Sequence, residues 1–448
     1  MNTSFGWMAI VRLGLVQACL GAVVVMTTST LNRVMVVELA LPALLPGMLV
    51  AMHYLVQVAR PRMGYGSDMG QRRTPWIVGG MVVLACGGAL AAIATAWMGR
   101  DRAAGIALAV LAFALIGVGV SACGTSLLVL LAKRVDAPRR AAAATTVWLM
   151  MIVGFAVTAG GAGKLLDPYS PLRLVVVTAG VSLLAVLLTL LATWRLEGAT
   201  TSEHHAPDAG HPGKTSFREA LQQVWDEPVA RRFTIFVFIS MLAYSAQDLI
   251  LEPYAGTVFG YTPGESTSLS GVQHGGVLLG MLCAALAGRG RRFGSLRAWQ
   301  IGGCLLSALM LLGLVAAGFV GPAWPFKATV FALGAANGAF SIAAIASMMR
   351  LASEGRHARE GVRMGLWGAA QAVAFGLGGL VGTAASDLAR WLIGTPVLAY
   401  ATVFAFEALL FALAAVLAGR LGAPAPSRHT GARRGSGAEM TLVDASTR

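Results

Sequence analysis

Four short stretches of this chain hold side chains that could do chemistry inside an otherwise apolar sequence. "LSGVQHGGVLLG", residues 269–280, sets His274 and Gln273 among glycines and aliphatic residues. An imidazole buried there can hydrogen-bond to its own helix, relay a proton or ligate a metal ion. "QDLILEPYAG", 247–256, spaces Asp248 and Glu252 four residues apart, so the two carboxyls share a helical face. "TLNRVMVVELALP", 30–42, carries Arg33 and Glu38, and "MGLWGAAQA", 364–372, carries Trp367 and Gln371. His53 stands alone in a further apolar run.

The elements that position these residues must be membrane helices. Of 448 residues, 56% are hydrophobic and 12% charged, and the mean hydropathy is +0.71. A soluble domain carries about twice that charged fraction. Apolar runs recur near 10–31, 43–59, 75–98, 104–131, 141–163, 173–194, 232–251, 268–288, 298–320, 326–349, 363–386 and 396–419. Each is about as long as a bilayer core requires. The expected fold is therefore an all-α polytopic membrane protein of about twelve transmembrane helices. The five cysteines, Cys19, Cys86, Cys123, Cys283 and Cys304, form no CxxC pair and indicate neither zinc nor disulfides.

The charge of +14 is spread in clusters between spans. That is a topology signal and not a nucleic-acid face. One set of alternate connections, with both termini, holds 27 of the 34 Lys and Arg, and the other set holds seven. The positive-inside rule then places both termini in the cytoplasm. The long connection at 195–231 divides the chain into halves at 1–194 and 232–420. Its "EGATTSEHHAPDAGHPGKT" reads as a flexible linker, and "SFREALQQVWDEP" as a short amphipathic helix on the membrane surface. The tail, 421–448, has too few apolar residues to fold.

The loop "MGYGSDMGQRRTPW" resembles the signature loop of the major facilitator superfamily, G-x-x-x-D-R-x-G-R-R. Gly64 and Asp68 match it, and Arg72 and Arg73 supply the basic pair; Gly70 comes one position early. In that family these residues cap and latch neighbouring helices. The second half keeps a decayed copy, "GRGRRFGSLR", as two six-helix halves related by an axis along the membrane normal would. The loop and the stretches at 30–42, 247–256 and 364–372 occur in order along the chain, and together they resemble the PucC/LhaA family of purple phototrophic bacteria. A sibling branch encoded among bacteriochlorophyll synthesis genes fits the compact loop as well.

That resemblance implies assembly of light-harvesting complexes, with bacteriochlorophyll a bound or delivered to antenna polypeptides in the intracytoplasmic photosynthetic membrane. Bacteriochlorophyll synthase and reaction centre–light-harvesting assembly intermediates are the further partners it suggests, beside membrane lipid. The pigment contacts to expect are His274 and His53 as magnesium ligands, Gln273 and Gln371 on pigment carbonyls, and Trp367 against a macrocycle. Ser270 and Gly271, one turn before His274, would leave the macrocycle its space. Each residue has a plainer reading: a hydrogen-bonded buried histidine, polar links between helices, a packing aromatic. Arg33 could meet Asp248 or Glu252 across the external mouth as a latch between the halves, or each could only cap its own helix end.

Two other functions stay open. A proton-coupled transporter needs ionisable groups near the midplane, and the acids here fall mostly at span ends. A pigment-free scaffold would need no site at all. An enzyme is not expected, because prenyl transfer needs aspartate pairs for magnesium pyrophosphate and no D-x-x-x-D occurs.

Overall fold

The computed structural model describes residues 5–57, 72–136, 139–197, 222, 224–287, 295–353 and 360–421. Twelve helices alternate in direction through them. The first half contains α1 (Trp7–Glu38), α2 (Leu44–Val56), α3 (Thr74–Met98), α4 (Arg102–Arg134), α5 (Arg140–Leu166) and α6 (Pro171–Thr193). The second half contains α7 (Pro228–Phe259), α8 (Pro263–Ala287), α9 (Leu296–Val320), α10 (Phe326–Ser353), α11 (Glu360–Ile393) and α12 (Pro396–Arg420). Eleven of them are long and apolar enough to cross a membrane, and α2 is a shorter apolar helix. Apolar side chains point outward as well as inward: Leu172, Val176, Leu183, Leu187 and Leu191 of α6 are all exposed. Such a helix needs lipid around it. The start of α1 and the end of α12 lie at one end of the bundle, the terminal end; the turns α1–α2, α5–α6, α7–α8 and α11–α12 lie at the far end.

The halves repeat one packing pattern. In the first, α1 packs on α5 and α6, and α3 on α4 and α6. In the second, α7 packs on α11 and α12, and α9 on α10 and α12. Contacts between halves run along two seams, α5 with α8 and α2 with α11, which exchange under the same pairing of helices. α1 adds contacts to α7 and α8.

Three helices run well past the far ends their sequence suggests, and α11 does so from 386 to Ile393. α1 continues past residue 31 through two π-helical turns, Met26–Thr30 and Val34–Glu38. Such turns rotate the following residues onto a new face. α7 continues through Pro253 and stops at Gly260, whose left-handed backbone (φ 69°) suits glycine. Pro253 has no N–H for the carbonyl of Leu249, four residues before it. Asn32 of α1 supplies the missing donor, Nδ2 to Leu249 O at 2.7 Å. The proline is tolerated because the other half completes the helix.

Gly64, Asp68 and Gly70 lie outside the described residues, as do most of the linker and the tail beyond 421. Arg72 is exposed and Arg73 buried. The amides of Arg73 and Thr74 at the start of α3 are held by Glu197, with Arg73 N at 3.0 and 2.9 Å from its carboxylate oxygens and Thr74 N at 2.6 Å. A carboxylate on these orphan donors caps the helix.

Candidate functional site

The polar residues of α1, α7 and α8 gather between the halves, toward the far end. The extra length of α7 places Asp248 and Glu252 two to three turns inside the helix, not at its mouth. Glu252 is buried and accepts a hydrogen bond from Ser29, in the first π turn of α1. Thr267 of α8 donates to Thr30 at 3.1 Å. Arg33, 2% exposed, does not pair with Asp248 or Glu252. It donates through Nη1 to Glu38 at 2.5 Å and through Nη2 to the carbonyl of Tyr261, just past α7, at 2.5 Å. Ser29 and Asn32, in and just after the first π turn, face α7 at Glu252 and Leu249, while the guanidinium of Arg33 lies one turn further on, against Gly256. The link between halves forms, with a backbone carbonyl as acceptor. Asp248 is half-buried and lies beside Gln273 of α8.

Two further contacts that the sequence did not point to close the far end. Asp387 of α11 receives the amides of Ala43 and Leu44 at 3.0 and 2.7 Å, one on each carboxylate oxygen, and so caps α2 from the opposite half. At the other seam, Thr262 donates to Asp167 at 2.9 Å. Thr262 also forms a capping box with Glu265 at the start of α8, with N···O distances of 2.9 and 3.1 Å.

His274 sits on the α5–α8 seam, 8% exposed, with its ring edge-on to Phe155 of α5 at 4.9 Å between centroids. Its Nδ1 lies 2.8 Å from the carbonyl of Ser270, one turn back. A carbonyl only accepts, so in the neutral ring Nδ1 carries the hydrogen and Nε2 keeps its lone pair. His53 is arranged the opposite way. Gln57 Nε2 lies 2.8 Å from His53 Nε2, so that lone pair is already used. The two histidines stand at similar depth, nine residues after Leu44 and eleven after Pro263.

The room beside His274 is not where the sequence suggested. A Cβ on Gly271 would lie 2.7 Å from Gly160 N and 3.1 Å from Ala156 O, so the backbone of α5 fills that face. Gly275 has nothing within 4 Å and leaves the open side. Trp367 is fully buried and packs edge-on against Phe233 of α7 at 4.9 Å, inside the second half and away from His274. Gln371 is half-buried on α11, and Gln273 is buried on α8.

A family model described as PUCC protein matches residues 30–425. The chain belongs to the PUCC family. A 44.5 kDa chain named as part of bacteriochlorophyll synthase, from Rhodobacter capsulatus, is 54% identical over 415 residues, covering 93% of this chain and 95% of that one. Protein PucC of the same organism is 32% identical over 432 residues, with 91% of each chain covered. Among solved structures, a peptide transporter bound to sulfate superposes with a TM-score of 0.67 at 14% identity, covering 92% of this chain and 94% of that one. A bacterial homologue of the lysosomal transporter Spinster, inward-facing and unoccupied, superposes with a TM-score of 0.64 at 16% identity over 92% of this chain and 94% of that one. At such identities the likeness concerns the fold, which is that of the major facilitator superfamily.

Proposed function

We propose that this chain assembles light-harvesting complexes by handing bacteriochlorophyll a to antenna polypeptides in the photosynthetic inner membrane, with both termini cytoplasmic. The observation that carries the reading is the family match across nearly the whole chain, supported by the pigment-synthesis name of a relative 54% identical. Bacteriochlorophyll synthase and reaction centre–light-harvesting intermediates are the partners this role would bring alongside. We read the chain as non-catalytic, since its sequence lacks the aspartate pairs that prenyl transfer uses.

In this reading His274 is the magnesium ligand. Its Nε2 lone pair fits that task, because the Ser270 carbonyl fixes the tautomer and orients the ring. Gly275 supplies the open face, and Phe155 bounds the site on the α5 side. Bound pigment would supply the light-absorbing macrocycle; the chain's own work is to hold it, orient it and keep water from it. His53 serves its own helix through Gln57, and Trp367 serves the core of the second half.

An absorption spectrum of the gently solubilised protein from a phototrophic host, beside His274→Ala, tests both levels. A bacteriochlorophyll band lost or shifted in the variant supports ligation. A band unchanged in the variant keeps delivery and removes His274 from it. No band in either, from pigment-rich cells, rejects delivery and favours a scaffold or a carrier of another solute.

A further inference from the structure

The core of the second half contains a polar layer that neither the seam nor pigment handling uses. Glu407 of α12 is 1% exposed, and neither of its carboxylate oxygens has a hydrogen-bond partner among the described residues. Gln247 of α7 is fully buried with both amide atoms unpartnered. Asn337 of α10 is fully buried with Nδ2 unpartnered, while its Oδ1 accepts from Ser307 of α9 at 2.8 Å. A native core rarely leaves so many buried polar atoms unmet, and each such group calls for an explanation.

Register places these residues at one depth. Tyr244, Phe340 and Phe411 form one aromatic layer, with ring centroids 6.5 Å apart for the first pair and 5.6 Å for the second. Gln247 is one turn from Tyr244 on α7, Asn337 one turn from Phe340 on α10, and Glu407 one turn from Phe411 on α12. Given the helix directions, all three steps lead toward the far end. A second aromatic layer closes that side, where Tyr254 meets Phe404 at 5.0 Å and Tyr400 at 5.3 Å. Polar groups from four helices are thus enclosed between two aromatic plates.

Among the described residues, no Lys or Arg of the four helices that build this layer lies within it, and Arg390 of α11 reaches only Tyr400, at its far-end edge. α7, α9, α10 and α12 carry their only Lys and Arg within a few residues of the terminal end or, for Lys327, at the far-end start of α10. Asp248, the other acid whose charge reaches Glu407, lies beside Gln273 of α8 instead. A carboxylate in such surroundings is neutralised either by a proton or by a bound cation, and the unpartnered amide oxygen of Gln247 favours a cation.

We propose that this layer is a binding site for one small monovalent cation of the sodium class. Its ligands are the carboxylate of Glu407, Oε1 of Gln247, Oδ1 of Asn337 and Oγ of Ser307. All are hard oxygens, as a hard cation prefers. One carboxylate matches one positive charge; a divalent ion would leave a buried excess. The site ties α12 to α7, α9 and α10 and acts inside the second half. It is independent of whether pigment binds at His274.

The test uses the purified full-length chain in detergent and radiolabelled sodium in equilibrium dialysis. Saturable binding is expected, displaced by unlabelled sodium and not by choline. Glu407→Gln should abolish it, and Gln247→Leu or Asn337→Leu should weaken it at least tenfold. In parallel, sodium chloride should raise Tm above that in equimolar choline chloride for the wild type and not for Glu407→Gln. In choline chloride the Glu407→Gln chain should melt no lower than the wild type, which separates loss of the site from misfolding. Absent saturable binding, or binding retained in Glu407→Gln, overturns the proposal. So does a Tm that follows pH without any dependence on sodium, which would assign Glu407 a proton instead.

Discussion

Along the α5–α8 seam the two backbones approach each other directly, with Gly271 against Gly160 and Ala156. Along α2–α11 side chains stand between the helices. A Cβ on Gly376 would meet the Cβ of Tyr54 at an ordinary 3.4 Å and the carbonyl of Ala51 at 4.0 Å, whereas one on Gly47 would press on the side chain of Thr383, 3.0 Å from its Cβ. The pseudo-symmetry makes this informative, because Phe155 and Phe375 occupy equivalent places, each 15 residues into α5 or α11. Phe155 faces His274 at 4.9 Å, and Phe375 faces Tyr54 at 5.7 Å. Their far-end fastenings differ too. α8 is capped by its own Thr262 and Glu265, whereas α2 borrows Asp387 from the other half. One seam is joined by backbone-to-backbone packing and the other by side-chain packing and a charged cap, so they should respond to different insults.

The largest effect should come from Gly271→Leu. Its side chain would drive α5 from α8 and cost about 3 kcal/mol by overpacking, whereas Gly376→Ala should cost well under about 1 kcal/mol. Melting curves for the pair check this, and equal losses would erase the distinction between seams. Next in size is Asn32→Leu, which strands the Leu249 carbonyl in an apolar core for about 1–2 kcal/mol. Restoring a donor on α7 itself with Pro253→Ala should recover most of that stability in the double variant. No recovery would mean Asn32 acts elsewhere.

Asp387→Ala should then cost about 1 kcal/mol, the usual size of a lost cap. It should also raise the labelling rate of a cysteine placed at Ala43, because α2 loses its cross-half hold. Asp387→Asn should lie between, and unchanged labelling in Asp387→Ala would deny that this cap closes the far end. Smallest should be Thr262→Val, a few tenths to about 1 kcal/mol, because Thr262 is exposed and α8 keeps its seam packing. A larger loss than Asp387→Ala in the same melting assay would reverse the comparison.

Eleven spans were legible because each is an apolar run of bilayer length, α2 being shorter among the described residues, and the repeat was legible from the decayed second copy of the signature loop. The ends of α1 and α7 were not. "LNRVMVVE" and "LEPYAG" contain charges and a proline that stop an isolated helix, and only the opposite half shows why they do not stop these. Asp387 and Glu197 were missed for a related reason. A carboxylate capping a distant helix leaves no local pattern, unlike the T-x-x-E box at Thr262, which was readable and passed over. Glu407 is legible as an acid inside the last apolar run, but the inward face of α12 is known only from packing. For His274 the residue type suggested the chemistry, while the glycine with room proved to be Gly275, a distinction set by where α5 lies.

Asn32 and Leu249 stand 217 residues apart in the chain. The ribosome therefore delivers α1 long before its partner exists, and until α7 enters the membrane Asn32 and Ser29 have only lipid, water or a chaperone for company, while Arg33 has Glu38 of its own helix but no Tyr261 carbonyl. The first half is thus built as an unfinished product, recognisable to quality control by its exposed polar seam. Expressed alone, residues 1–197 should be degraded quickly, and co-expression of 222–448 should rescue them. Equal lifetimes with and without the second half would show that the seam is not what marks the chain as incomplete.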